Sequence, residues 1–211
     1  MGKPQPDPAR LDLPLAESLD PKLKDTLIGR LKKEGFLPKD NATDPAARVY
    51  ESDTGQIKVE ARDGIMTVAT PKTVGLAGPA ETSRALGPLT VTLKQAWASL
   101  WVSSLDDKPI AESERLLLVH LTDLKNTGER FRGQDMKVHE EWGAGPRLAR
   151  AGSATLRLAH RDAKQYEVWR LDLTGKRVAQ VPVTVMDGAL EFAIATAGPK
   201  DATLYYEIAA K

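Results

Sequence analysis

Asp53-Thr54-Gly55 is the first place along this chain where residue types and spacing could do chemistry. In aspartic proteases two such aspartates share one proton and activate a water, each carboxylate held against its partner. That use needs a buried apolar strand before the loop. Here Tyr50, Glu51 and Ser52 precede the aspartate, Gln56 follows the glycine, and no second Asp-Thr-Gly or Asp-Ser-Gly occurs. The local context predicts a turn between strands. A protease would need a two-fold dimer to bring two copies of Asp53 together. The three histidines, His120, His139 and His160, lack the spacing of a zinc motif, and in KVHEEWG no second histidine follows His139. His120 shares a strand face with Leu116 and Leu118, which predicts a hydrogen-bonded core or edge residue. Asp106-Asp107 and Glu140-Glu141 are neighbours in sequence, so on strands their carboxylates point to opposite faces and do not converge on one bond. There is no nucleophile elbow and no phosphate-cradling glycine loop. The expectation is a chain with no catalytic residue, no metal and no cofactor.

The aromatic residues offer different chemistry. In QAWASLWVSS, alternation puts Ala98, Leu100 and Val102 on one face and Trp97, Ser99, Trp101 and Ser103 on the other. Indole rings interleaved with hydroxyls suit a pyranose, whose C–H face packs on an aromatic ring while its hydroxyls need polar neighbours. The competing reading is that both rings cover the back of a sheet, under a helix or another domain. Trp142, in EEWGAGP, reads first as a loop tryptophan plugging an end of the sandwich; it is also the third stacking candidate, with Arg132 and Glu141 as candidate hydroxyl contacts.

These residues must be positioned by strands. From Val49 onward, short β-rich runs alternate with Gly and Asp turns, the pattern of an antiparallel β-sandwich of immunoglobulin-like or jelly-roll-like type. IKVEA, Asp63-Gly64 and IMTVAT read as a hairpin with a tight two-residue turn; so do VPVTV, Asp187-Gly188 and ALEFAIA. In the latter, Val181, Val183 and Val185 are expected on one face. YEVWRLDL, Thr174-Gly175 and KRVAQV form a third hairpin, and ATLYYEIA a last strand. ERLLLVHLTDL is continuously apolar, which suits a central strand covered on both faces. Residues 1–47 form a separate segment: a Pro-rich linker, a helix at about 20–35 capped by Asp20 and striped by Leu23, Leu27, Ile28 and Leu31, and a polar linker at 39–47. The sandwich occupies 48–211.

Composition excludes several classes. With 30 basic and 29 acidic residues the net charge is +1, without the concentrated basic face that nucleic acid or an anionic membrane requires. There is no cysteine, hence no disulfide or thiolate metal site. No apolar stretch is long enough to span a membrane as a helix. The opening MGKPQPDPARLDLP has no hydrophobic signal core.

SDTGQIKVEARDGIMTVATPKTVGLAG (52–78), with its Ser-Asp-Thr-Gly turn and Thr-Val-x-Thr-Pro-x-Thr strand, resembles the opening of a C-terminal β-sandwich module of large bacterial glycoside hydrolases of the cellulase and β-galactosidase-like clan. WVSSLDDKPIAESERLLLVHLTDLKNTG, EWGAGPRLARAGSATLRL and VWRLDLTGKRVAQVPV continue the likeness in order, so that it covers Ser52 to Lys211. Lys72 departs from it, standing where arginine is expected. The resemblance implies an accessory, non-catalytic domain whose partner is a catalytic barrel, with polysaccharide as ligand and an extracellular or periplasmic location. It also implies that the helix resembles a connector from that barrel, which this chain lacks. Two other readings are a purely structural module that docks on a catalytic domain, and the aspartic-protease-like dimer.

Overall fold

Alternation decides which side of each strand is buried. In β7 (Ala98–Ser104), Ala98, Leu100 and Val102 are fully buried, whereas Ser99, Trp101 and Ser103 are only partly covered. The computed structural model describes residues 21–133, 136–198 and 202–211, with the backbone alone at 21–26. Its strands form an all-β antiparallel sandwich. The larger sheet has nine strands in the order β1 (Val49–Glu51), β2 (Ile57–Glu60), β3 (Ile65–Ala69), β4 (Thr73–Gly78), β7, β8 (Arg115–Leu121), β18 (Tyr205–Ala210), β14 (Tyr166–Leu171) and β15 (Arg177–Val181). The facing sheet has five: β16 (Thr184–Met186), β17 (Ala189–Ala195), β13 (Ser153–Ala159), β6 (Leu89–Gln95) and β5 (Ser83–Leu86). Between them Val74, Leu76, Leu100, Leu116, Leu118 and Ile208 meet Leu89, Val91, Leu156, Leu158, Leu190 and Phe192. Each fully buried leucine contributes about 2 kcal/mol of transfer free energy.

The turns follow their residues, with one correction. Asp187 and Gly188 both adopt positive φ, 49° and 70°, and join Met186 to its cross-strand partner Ala189 in a two-residue turn, as the sequence predicts. The Asp63-Gly64 connection is longer. Glu60 pairs with Ile65, so the loop spans 61–64, and Gly64 alone takes positive φ there. The cause lies on the neighbouring strand: the Ala61 N–H donates to Arg48 O (2.9 Å), which draws the chain toward β1 before it can turn. Val181, Val183 and Val185 do not share a face. Pro182 has no N–H to donate and ends β15, and the chain crosses to the other sheet, leaving Val181 buried, Val183 packed against the core and Val185 exposed.

Strand β8 is apolar on both sides, but the two sides differ. Leu116, Leu118 and His120 are fully buried inward; Leu117, Val119 and Leu121 are half-buried on the outer face. A sandwich covers one face of each sheet, and no further layer of strands lies over this one among the described residues. The helix α1 (Pro21–Lys33) stops at Gly35, as the sequence suggests, in a Schellman motif: Gly35 has φ 80°, and the Phe36 N–H donates to Leu31 O (2.9 Å). Ile28 and Leu31 are half-buried while Leu27 is exposed; Asp20 and the Leu23 side chain lie outside the described residues. The polar 39–47 segment is tied down. Buried Asn41 donates to Ser52 O (2.8 Å) and accepts from the Thr43 N–H (3.1 Å), and the Lys32 ammonium reaches Asn41 O (2.6 Å).

Candidate functional site

Between β8 and β13 the chain leaves the sandwich and builds two short ribbons: β9 (Leu124–Thr127) with β12 (Ala144–Ala149), and β10 (Arg130–Arg132) with β11 (Val138–Glu141). Gly143 makes their junction possible. Its φ is +64°, and a Cβ there would lie 2.4 Å from Thr127 O and 2.6 Å from Glu129 N. This close approach places Trp142 over the 126–129 turn, where the Asn126 amide donates to Trp142 O (3.0 Å). Glu129 locks the same turn from within: one oxygen accepts the Asn126 N–H (2.7 Å), the other meets His139 Nε2 (2.9 Å). The Asn126 N–H holds the Glu129 carboxyl below its ordinary value; burial opposes this, and His139 adds to it.

The result is a column of three rings. Phe131 and His139, opposite each other in the β10–β11 register, stack at 4.2 Å; His139 and Trp142 stack at 4.0 Å with 29° between planes. Lys125 Nζ stands 5.3 Å from the Phe131 centroid. Trp142 caps the column with 72% of its surface exposed. One face of the indole rests on His139 and the other meets solvent. Arg130 pairs with Glu141 (2.6 Å) and Arg132 with Glu140 (3.1 Å) along the same ribbon. Three sequence candidates, Trp142, Arg132 and Glu141, therefore fall on one projecting element. Arg132 and Glu141 are each engaged with a different partner and not with one another. Phe131, His139, Lys125, Asn126 and Glu129 were not legible as site residues. The alternation of RFR against VHE is their only sequence signal, and the runs are short.

Trp97 and Trp101 do not pair as the alternation suggests. Ala96 has φ 58°, β7 starts at Ala98, and Trp97 lies on the preceding loop, 54% exposed. No ring contact joins it to Trp101 among the described residues. Trp101 lies flat on the outer face over Gly75, where a Cβ would come within 2.6 Å of its ring, and its indole N–H is donated to Ser99 Oγ. It belongs to a row that crosses six strands in register: Ile57, Val68, Gly75, Trp101, Val119 and Tyr205.

The remaining candidates have structural surroundings. Asp53 is exposed on the β1–β2 hairpin, its carboxylate accepting the Thr54 N–H (2.9 Å), with Gly55 at φ 68°. Asp107 pairs with Lys72 (3.0 Å). Burial pushes the Asp106 pKa up, but the Glu114 N–H, the Ser104 and Ser113 hydroxyls and the Lys108 N–H outweigh it and hold the carboxyl below its usual range. His160 is buried with a fixed tautomer: Nε2–H donates to Ser113 O (3.1 Å) and Nδ1 accepts the Asp162 N–H (3.2 Å). His120 departs from expectation. It is fully buried, yet neither ring nitrogen has a hydrogen-bond partner among the described residues, and burial pushes its pKa down to about 4. No group of three or more His, Cys, Asp or Glu side chains among the described residues is placed to hold a metal ion. No helix among them is long and apolar enough to cross a membrane. No family model, curated protein or solved structure matches the chain.

Proposed function

We propose that this chain is a non-catalytic glycan-binding β-sandwich, an accessory module of an extracellular or periplasmic polysaccharide-degrading glycoside hydrolase, with the Trp142 column as its sugar platform. The exposed indole of Trp142, held by two rings beneath it, carries this reading. A sugar ring buries its C–H face on such a surface at low entropic cost, because the platform is already ordered. The paired charges Arg130–Glu141 and Arg132–Glu140 supply hydroxyl partners at its rim. The test is affinity electrophoresis and pull-down of the chain on neutral and acidic polysaccharides, with a reducing-sugar assay on the same samples. Retardation without sugar release, lost in Trp142→Ala, supports the reading. Retardation on neutral polysaccharide unchanged in Trp142→Ala, or sugar release by the chain alone, opposes it.

The apolar row through Trp101 favours a second reading, a module that docks its outer face on a catalytic domain. Sedimentation with that domain would support it if Trp101→Ala weakens association and Trp142→Ala does not.

A further inference from the structure

Glu207 of β18 is a carboxylate on the outer face of the large sheet. In register it lies between Leu117 of β8 and Trp169 of β14, and its side chain is only 6% exposed. Burial pushes its pKa up, and two guanidinium groups more than reverse this, so it is held below its ordinary value. Arg115 Nε lies 2.5 Å from one oxygen and Arg177 Nε 2.5 Å from the other. One counter-ion would neutralise one carboxylate. Here two are present, and the Glu167 carboxylate on the same face balances the second, so the patch is rich in fixed charges without a net excess.

Each arginine presents five N–H donors in a planar fork, and each spends only its Nε–H on Glu207. The Nη groups make no hydrogen bond among the described residues, and the two side chains are 64% and 45% exposed. The Arg177 guanidinium stands 5.4 Å from the centroid of the half-buried Trp169 ring. The nearby Glu167 carboxylate is engaged by the Trp169 indole N–H (3.2 Å). An arginine fork, a fixed charge and an indole therefore meet on one flat surface. β18 is an interior strand paired on both sides by β8 and β14, so a peptide cannot add there as an extra strand. The ligand must be recognised by charge and by ring face.

We propose that Arg115 and Arg177, braced apart by Glu207 and flanked by Trp169, bind the carboxylate of a hexuronate residue in an acidic polysaccharide. The carboxylate takes the free Nη N–H groups of the two forks, and the sugar ring packs on the Arg177 guanidinium that overlies the indole. This inference rests on the glycan-binding reading for its ligand class, but it uses residues distant in sequence from Trp142.

The experiment is calorimetric titration at low salt with tetragalacturonate, a neutral tetrasaccharide and acetate, in both wild-type and Trp142→Ala protein. Tetragalacturonate is expected to bind the Trp142→Ala protein, with an affinity that falls as salt is added. Acetate should bind it at least about 100-fold more weakly. Arg115→Gln and Arg177→Gln should each reduce tetragalacturonate affinity by about tenfold or more. These variants leave Glu207 short of a partner and can unfold. Arg177→Lys keeps the counter-charge and loses the fork; it should melt as the parent does and still bind about threefold or more weakly. Equal affinity in folded arginine variants and parent, or equal binding of acetate and tetragalacturonate, overturns the proposal. If neutral glycans bind through Trp142 while tetragalacturonate ignores both arginines, this inference alone falls. If no glycan binds the wild-type chain, it falls together with the glycan-binding reading.

Discussion

Acidification should destabilise this protein through His120. The ring is neutral and buried in the folded state, with its pKa pushed down to about 4 from an ordinary 6.5. The unfolded chain therefore takes up a proton first as pH falls. The stability that the neutral ring retains is fully present above pH 6.5 and is lost progressively toward pH 4. A gap of about 2.5 pH units corresponds to about 3 kcal/mol. For a chain of this size that is a fall in Tm of roughly 6–12 °C. The assay is urea unfolding followed by tryptophan fluorescence, every half pH unit from 7.5 to 4. His160, also depressed by burial, and the carboxylates contribute to the same profile. The control is therefore His120→Leu, which shares every other group. It should be as stable as wild type or more so at pH 7.5, because it removes two buried nitrogens that lack partners. The two curves should then separate by about 3 kcal/mol at pH 4. Parallel curves would refute the reasoning, as would a large loss in His120→Leu at neutral pH.

Other substitutions follow from packing. Gly75→Ala sets a Cβ 2.1 Å from Leu100 O and against the Trp101 ring, and should lower stability by about 3 kcal/mol or more in urea unfolding. Leu118→Ala empties a site at the centre of the core and should lower stability by about 2–5 kcal/mol in the same assay. Gly143→Ala should disorder the ribbon locally and weaken glycan binding while the Tm of the sandwich moves little; a cooperative loss of the whole fold would show that the ribbon is integral to it. His139→Ala removes the ring beneath Trp142 and should reduce glycan affinity about as much as Trp142→Ala, with unchanged far-UV circular dichroism.

The sandwich was legible because its signals are local. Ala98, Leu100 and Val102 repeat every second residue, and Asp187-Gly188 makes the tight turn that its residue types favour. Errors arose where neighbours in space intervened. Arg48 lengthened the Asp63-Gly64 loop, and Pro182 sent Val181 and Val183 to different places. Positive φ at Ala96 removed Trp97 from the face that alternation assigned to it. The site was legible only in part. Trp142, Arg132 and Glu141 stood out by residue type, but the column beneath Trp142 depends on Glu129 and Gly143, which act by tertiary hydrogen bonding and close approach. Arg115, Arg177 and Glu207 come from three strands far apart in the chain, and no periodicity links them.

The central claim is that Trp142 forms the sugar platform. The most direct measurement compares the affinity of wild type, Trp142→Ala and Trp101→Ala for the one neutral polysaccharide that retards the chain most strongly. The account predicts a loss of about tenfold or more for Trp142→Ala, in keeping with the removal of one aromatic stacking partner, and little change for Trp101→Ala. The opposite pattern, binding retained without Trp142 and lost without Trp101, would contradict it and move the site to the sheet face.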